Sequence, residues 1–189
     1  MQFDPETRHL KLIGFSGLKG AGKDTAGKAF TDRGYTLLKF AGPMKIMLSA
    51  LLRTRGAPED QIERMLDGDL KEVPSEWLDQ ATPRHALQTL GTEWGRNLID
   101  SNFWVNTVRD AIHQEFSHGN KVVVTDVRFH NEVNLIQCLG GRVVRINGRG
   151  EAGDLHPSEA EIPHLNVDME LTNDYDTAAQ FTLAVNRMF

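Results

Sequence analysis

Residues 11–25 read KLIGFSGLKGAGKDT, an apolar run that is followed at once by a glycine-rich turn. The run before Gly17 has the pattern of a strand that is buried on both faces, as in a parallel sheet. From Gly17 onward the sequence matches G-x-x-x-x-G-K, with Asp24 where the usual pattern has Ser or Thr. Backbone N–H groups of such a loop, together with the dipole of the helix that follows, bind phosphate oxygens. We therefore predict a nucleotide-phosphate site here.

The predicted phosphate site contains a lysine and a carboxylate side by side. Lys23 is expected to lie on the β- and γ-phosphates. A carboxylate beside a triphosphate is repelled unless a cation balances it, so we interpret Asp24 as a Mg2+ ligand, directly or through water. Thr25 is the other candidate ligand, and the alternative role for Asp24 is an acid that the helix dipole stabilises. The loop residues expected to bind ATP are Gly17, Lys19, Gly20, Ala21, Gly22, Lys23, Asp24 and Thr25.

Strand and helix patterns alternate along the rest of the chain. Apolar and β-branched runs predict four further strands, at about 35–40, 121–125, 142–147 and 169–172. Apolar periodicity predicts helices at about 23–33, 43–55, 59–66, 82–96, 102–116, 133–139 and 175–188. Strands that alternate with helices imply a parallel sheet with helices on both faces, so the predicted fold class is α/β.

Composition excludes several classes of protein. The chain has 21 Lys+Arg against 26 Asp+Glu, a net charge of -5, which argues against a nucleic acid polymer as a partner. The single cysteine, Cys138, excludes an internal disulfide framework and a multi-cysteine zinc site. No apolar run approaches the ~18 residues that span a bilayer. We therefore expect a cytoplasmic protein without a membrane partner.

Four motifs that are spread over most of the chain occur here in combination. They are GLKGAGKDT (17–25), LQTLGTEWGR (87–96) followed by Trp104, TDVRFHNE (125–132) before GGRVVRI, and HPSE (156–159). Together they resemble the bacteriophage deoxynucleoside monophosphate kinases. The resemblance implies a P-loop kinase fold with a five-stranded parallel sheet of order 2-3-1-4-5. It also implies transfer of the ATP γ-phosphoryl group to a deoxynucleoside 5'-monophosphate with Mg2+, in the host-cell cytoplasm, and it is compatible with a homodimer.

The resemblance also assigns residues to the acceptor nucleotide. Its Arg-x-x-x-Gln-x-x-Gly-Thr pattern falls on Arg84, Gln88, Gly91 and Thr92, and the binding set also includes His85, beside Arg84, and Trp104. Lys45, which comes just after Phe40-Ala-Gly-Pro43, is a further candidate. Trp104 is expected close to the base, and Lys45 is expected to reach the acceptor phosphate. Spacing alone places Arg84 and Gln88 one helical turn apart on one face, where a guanidinium and an amide can hold phosphate and base. The alternative for this pair is a solvated helix face.

The family's Asp-x-Arg-x-x-x-Glu pattern falls on Asp126, Arg128 and Glu132, and the resemblance implies that these residues also contact the acceptor. Asp126 ends a predicted strand at its C-terminal edge, where ligands lie in open α/β sheets. It is expected to position the acceptor or a metal-bound water, with a turn or cap role as the alternative. Arg128 and Glu132 are four apart and can pair as helix charges, which would orient Arg128 towards the transferred phosphoryl group.

A loop at about 148–164 follows the fourth predicted strand. Arg145 and Arg149 flank its start, and we expect the loop to be a lid that closes over the phosphates and excludes water. Arg149 is either a residue that stabilises charge on the transferring group or a surface arginine. The predicted catalytic set is therefore Lys23, Asp24, Asp126, Arg128 and Arg149. The whole chain, 1–189, is interpreted as one P-loop kinase domain with a substrate-binding insert at about 41–118.

Two other functions stay open at this point. A kinase for another small phosphate acceptor would use the same loop, since a GKD loop also occurs in phosphomevalonate kinases; Trp104 near a nucleobase favours a nucleotide. A nucleotide-dependent switch would bind ATP without turnover that an acceptor stimulates. The many candidate acceptor-binding residues argue against a switch. No H-E-x-x-H pattern occurs, so the histidines do not predict a zinc site.

Overall fold

The sheet has five parallel strands in the order β2-β3-β1-β4-β5 in a computed structural model that describes residues 10–148 and 160–189. The strands are β1 (Leu12–Ser16), β2 (Tyr35–Leu38), β3 (Lys121–Val127), β4 (Arg142–Gly148) and β5 (Met169–Asn173). The prediction of a five-stranded parallel sheet with order 2-3-1-4-5 is therefore confirmed. β1 is buried at all five positions and lies at the centre, which fits its uninterrupted apolar pattern.

The described helices are α1 (Lys23–Thr31), α2 (Gly42–Thr54), α3 (Glu59–Asp67), α4 (Pro83–Thr89), a π-helix (Leu90–Ile99), α5 (Phe103–Ser117), α6 (His130–Cys138) and α7 (Ala178–Met188). Short 3-10 turns cover Glu76–Leu78 and Ile162–His164. None of the helices within residues 10–148 and 160–189 is long and apolar enough to cross a membrane.

The chain divides into two compact units, which we call the sheet unit (Met1–Phe40 with Val108–Phe189) and the helical unit (Ala41–Thr107). The helical unit falls within the predicted substrate-binding insert of about 41–118. The predicted insert is longer than the unit because the apolar periodicity that predicts the helix at about 102–116 has no break at Thr107, where the unit ends. That the whole chain is one domain stays a prediction.

Helices cover both faces of the sheet. Ile13 and Phe15 of β1 belong to a buried cluster with Phe30 of α1 and Phe181 of α7. On the opposite face, Ile136 of α6 packs so closely on Gly14 that a Cβ there would lie 2.6 Å from its Cδ1. Alternate β1 residues therefore point to opposite helix layers, as the strand period requires.

The helical unit has its own core, formed where α2 packs on α3. Its buried residues are Leu48, Leu52, Ala57, Ile62, Met65 and Leu66. Pro43 lies in the first turn of α2, and the Thr82 hydroxyl accepts a hydrogen bond from the backbone N–H of His85 at the start of α4. Both are ordinary helix-start signals, so the starts of these helices match the sequence pattern.

The predicted helix 82–96 changes from α to π geometry at Leu90. Trp104 packs directly on Gly95, where a Cβ would lie 2.2 Å from its Nε1. The same indole N–H donates to the carbonyl oxygen of Gly91 at 2.9 Å. A side chain that donates a hydrogen bond to a helix carbonyl competes with the i→i−4 backbone hydrogen bonds and favours a wider, π-helical turn. Periodicity cannot show this, because the cause is a residue on another helix.

Candidate functional site

The predicted phosphate loop connects β1 to α1. Gly17, Gly20 and Gly22 adopt φ angles of 148°, 80° and 108°, which favour glycine. At Gly22 a Cβ would lie 2.6 Å from Nδ2 of Asn173, so neither the backbone angle nor the space allows a side chain. The Gly22 carbonyl accepts from Ala26 N–H at 2.9 Å, so α1 begins where the loop ends. The loop therefore presents a helix N-terminus, as a phosphate site requires.

Lys23 lies across this loop. Its Nζ donates to the carbonyl oxygens of Gly17 and Leu18, each at 2.7 Å. Phosphate oxygens are stronger acceptors for an ammonium than neutral carbonyls, because the hydrogen bond is between opposite charges. The lysine is thus held beside the loop by contacts that a phosphate can replace. Of the other predicted loop residues, Lys19 is exposed and Thr25 is half-buried in the first turn of α1.

Asp24 pairs with a residue that the sequence analysis did not single out. Its Oδ1 lies 2.9 Å from Nζ of Lys39, which directly follows β2. The Asp24 side chain is 83% exposed and that of Lys39 is 29% exposed. The signal that could have identified Lys39 is its place at the C-terminal edge of a parallel strand, where ligands bind.

The donor set around Asp24 fits Mg2+ only in company with a bound phosphate. Within the part of the chain that the structure describes, no group of three or more His, Cys, Asp or Glu residues can hold a metal ion. Mg2+ is commonly bound by one or two carboxylates together with waters and substrate phosphates. An exposed carboxylate at the end of a phosphate loop, with Thr25 as the next residue, is compatible with that arrangement.

Asp126 lies in an irregular part of β3. Gly14 pairs with Val124 and Ser16 with Val127, so β3 carries one residue more than β1 between these two pairs. Such bulges redirect side chains and are common beside active sites. Asp126 Oδ1 accepts the backbone N–H of Phe40 at 2.8 Å, which ties the end of β2 to the end of β3. This contact is structural, but it joins two strands and so differs from the predicted alternative of a turn or cap. A role in positioning the acceptor stays a prediction.

Glu132 is a buried carboxylate that holds the start of α6. Its side chain is 2% exposed. Its Oε2 accepts the backbone N–H groups of Arg128 at 2.7 Å and of Phe129 at 3.2 Å. The structure therefore corrects the prediction that Glu132 contacts the acceptor: burial keeps it from a ligand, and it acts on the backbone that carries Arg128. Arg128 itself is half-buried at the C-terminal end of β3.

Replacing Glu132 with glutamine should lower the free energy of unfolding by about 1–3 kcal/mol, since a buried carboxylate and its charge-assisted hydrogen bonds to two part-buried N–H groups are lost. Urea unfolding followed by circular dichroism measures this. Glu63→Gln, at an exposed position on α3, is the matched control and should change little. An equal effect of the two substitutions would contradict the assigned role.

One lysine and one arginine of the helical unit, both predicted to bind the acceptor, each form an ion pair with an acidic residue. Lys45 Nζ contacts Asp67 Oδ1, and Arg84 Nε contacts Glu72 Oε1. Of the other predicted acceptor residues, His85 is exposed, Gln88 and Thr92 are half-buried, and Gly91 is buried. The acidic partners were not found from the sequence because they lie 22 and 12 residues away along the chain.

Trp104 lies inside the helical unit and is 1% exposed. Its contacts with Gly91 and Gly95 occupy the indole N–H and one edge of the ring, and Phe103 packs on it at 4.8 Å between ring centroids. A ring buried to this extent has no face to stack on a base, so Trp104 would act through its neighbours; that it lies close to the base stays a prediction. Trp104 shapes the π-helix that carries Gly91 and Thr92.

A cavity of about 300 Å3 opens beside the phosphate loop, within the sheet unit. Its lining residues are Gly17, Leu18, Ala21, Arg145, Ile146, Asn147, Gly148, Ile162, Pro163 and Glu170. Sequence analysis missed most of them, because the lining comes from the loop, from β4 and β5, and from the 3-10 turn. The first residues of the phosphate loop thus form one wall of a pocket.

Arg145 connects this cavity to the end of the predicted lid. Its guanidinium donates to the carbonyl oxygens of Pro163 and Leu165, the latter at 3.1 Å, and pairs with Glu170 at 3.0 Å. Arg145 was predicted as a lid residue, and it does bind the segment that returns to the sheet. Arg149 and the HPSE motif, at residues 149–159, lie outside the described residues.

Several proteins with sequences similar to this chain share one family description. A sequence profile of the deoxynucleotide monophosphate kinase family matches residues 57–181. A protein of Acanthamoeba polyphaga mimivirus, provisionally named a deoxynucleotide monophosphate kinase, is 33% identical over 183 residues, which cover 87% of this chain and 89% of that protein. The deoxynucleoside-5'-monophosphate kinase of Escherichia phage T5 is 32% identical over 112 residues, 55% of this chain. The match spans only 44% of the phage protein.

Among solved structures, a dephospho-CoA kinase from Campylobacter jejuni superimposes with a TM-score of 0.53. The match covers 93% of this chain and 94% of that one, at 12% sequence identity. At this identity the likeness concerns the fold alone, which is that of a P-loop kinase.

Proposed function

The chain belongs to the deoxynucleotide monophosphate kinase family, and from that premise we propose that it transfers the γ-phosphoryl group of ATP to a deoxynucleoside 5'-monophosphate. It is an ATP-dependent nucleotide kinase by family and fold. The observation that carries the proposal is the phosphate loop. Lys23 donates hydrogen bonds to the loop carbonyls of Gly17 and Leu18, and the same two residues line the cavity beside the loop. We propose that the loop binds the triphosphate of ATP and that the cavity binds the adenosine.

The triphosphate is proposed to lie on the loop and the adenosine in the cavity. Ligand pockets have volumes of roughly 300–1,000 Å3, so this cavity is at the small end, suited to a base and part of a sugar. The Glu170 carboxylate, bonded to the amide of Asn147 at 3.0 Å, puts polar groups on one wall. Ile146 and Ile162 provide apolar contact on other sides. This mixture of apolar surface and few polar groups is typical of a nucleoside site.

The chemistry asks little of the protein beyond positioning and charge. An oxygen of the acceptor phosphate attacks the γ-phosphorus, the bond from that phosphorus to the β–γ bridging oxygen breaks, and ADP leaves while a deoxynucleoside diphosphate forms. Lys23 neutralises charge on the phosphates, and Arg128, on backbone that Glu132 holds, is proposed to do so at the transferring group. Asp24 and Thr25 would hold Mg2+, which neutralises charge on the β- and γ-phosphate oxygens when it is bound.

The acceptor is proposed to bind in the helical unit. Lys45 and Arg84 are the cations for its phosphate, and each would exchange a carboxylate, Asp67 or Glu72, for phosphate oxygens. Gln88, one turn after Arg84 on the same helix face, is the proposed contact with the base. The paired acids keep these cations in place within a chain whose net charge is negative.

The test is ADP production from ATP and Mg2+ with dAMP, dGMP, dCMP, dTMP, AMP or GMP in turn, beside a control without acceptor and one with EDTA. We expect ADP release that at least one deoxynucleotide stimulates and that EDTA abolishes. ATP binding without stimulation by any monophosphate would overturn the acceptor assignment. It would leave a kinase for another phosphate acceptor or a nucleotide-dependent switch as the function.

A further inference from the structure

The backbone at Lys39 is held by the sheet. Leu38 pairs with Val124 at the end of β2, and the next residues continue to Phe40, which is buried. The Phe40 N–H donates to Asp126 Oδ1 at 2.8 Å. Lys39 therefore lies between a ladder pair and a side-chain tie, and its position at the edge of the sheet is fixed on both sides.

The side chain of Lys39 reaches the phosphate loop from this position. Its Nζ lies 2.9 Å from Oδ1 of Asp24, the residue that directly follows Lys23. The lysine is 29% exposed and the aspartate 83% exposed, so the cation is the better held member of the pair. A second ammonium group is thus present at the end of the loop where Lys23 begins α1.

Charge favours a change of partner when a triphosphate binds to the loop. The phosphate oxygens attract the Lys39 ammonium, and Mg2+ bound with the nucleotide would replace that ammonium as the cation beside the Asp24 carboxylate. An ion pair whose acid is mostly exposed to water contributes little stability, so its loss costs little. The new hydrogen bond, from the ammonium to a phosphate oxygen, is charge-assisted like the one it replaces, and the triphosphate carries more negative charge than one carboxylate.

We propose that Lys39 is an additional ligand of the γ-phosphate of ATP, and that it exchanges Asp24 for a γ-phosphate oxygen when the nucleotide binds. The inference rests on the proposed function in one respect, the placing of the ATP phosphates on the Gly17–Gly22 loop. Asp24 directly follows Lys23, the residue expected at the β- and γ-phosphates, which places Lys39 at that end of the triphosphate. The comparison of ATP with ADP then separates the γ-phosphate from the β-phosphate.

The experiment compares ATP and ADP binding by isothermal titration calorimetry in the presence of Mg2+. Lys39→Met should weaken ATP binding by about tenfold, because one charge-assisted hydrogen bond is lost, and should change ADP binding by less than about threefold. Lys39→Arg keeps the charge and should recover most of the ATP affinity. Lys39→Gln is a second neutral variant in case Lys39→Met does not fold.

The matched control is Lys28→Met, which removes another exposed ion pair of α1, that of Lys28 with Asp32 at 2.7 Å. It should leave both affinities unchanged. Equal losses for ATP and ADP, no loss for ATP, or the same loss in the Lys28 variant would each overturn the proposal. The outcome is separate from that of the proposed function, because ATP and ADP binding is measured without any acceptor.

Discussion

Replacing Lys23 with methionine should lower the rate of deoxynucleotide-dependent ADP formation by about a hundred- to a thousandfold, the usual cost of removing one group that stabilises charge in a transition state. Lys23 is already placed at the loop, where two carbonyl oxygens hold its ammonium at 2.7 Å. Methionine keeps the unbranched apolar stem, one atom shorter, and removes the ammonium with its charge and its hydrogen bonds. The effect should therefore be on phosphate binding and transfer.

The measurement is steady-state ADP formation with the most active acceptor, together with urea unfolding of the same variant. The free energy of unfolding should change by no more than about 1 kcal/mol, because both lost hydrogen bonds are only part-buried and water can replace the ammonium. Lys28→Met is again the control for loss of a positive charge on α1. A Lys23→Met protein that keeps more than a tenth of the activity would show that the loop does not bind the transferred phosphate.

Replacing Gly22 with alanine should destabilise the protein by about 2–5 kcal/mol, which combines a left-handed backbone with overpacking. Gly22 has a φ of 108°, and an added Cβ would lie 2.6 Å from Asn173 Nδ2 and 2.9 Å from the Phe181 ring. Asn173 cannot retreat easily, because its Nδ2 also donates to the Ala21 carbonyl at 2.9 Å. ATP affinity should fall at least about tenfold in the fraction that folds, since the loop itself must move.

The matched control is Gly34→Ala. Gly34 also has a positive φ, 84°, but an added Cβ there meets nothing within 4 Å. It should cost only about 1–2 kcal/mol, the price of the left-handed conformation, and leave ATP affinity unchanged. Urea unfolding and calorimetry with ATP measure both quantities. If both alanine variants were equally stable and bound ATP equally well, the contact with Asn173 would not hold the loop.

Local sequence patterns were sufficient to predict the strands, most helix starts and the phosphate loop. The run before Gly17 is buried at every position of β1, and the glycines of the loop have the left-handed angles that the motif needs. Each of these is a property of neighbours in sequence: strand periodicity, helix starts and turn chemistry act over a few residues. The order of the strands came from the family resemblance, because pairing joins residues that are far apart in the chain.

For the candidate site, too, some features follow from the sequence and others only from the tertiary structure. The sequence by itself determined the class of the fold, the phosphate loop and the positions of Lys23, Asp24 and Asp126. Only the tertiary structure decided that Asp24 faces Lys39, that Glu132 is buried on backbone N–H groups, and that Trp104 packs on Gly95. The physical reason is that burial and charge pairing depend on which distant segments meet, and a side chain's type and spacing are the same whether it meets a ligand or a neighbour.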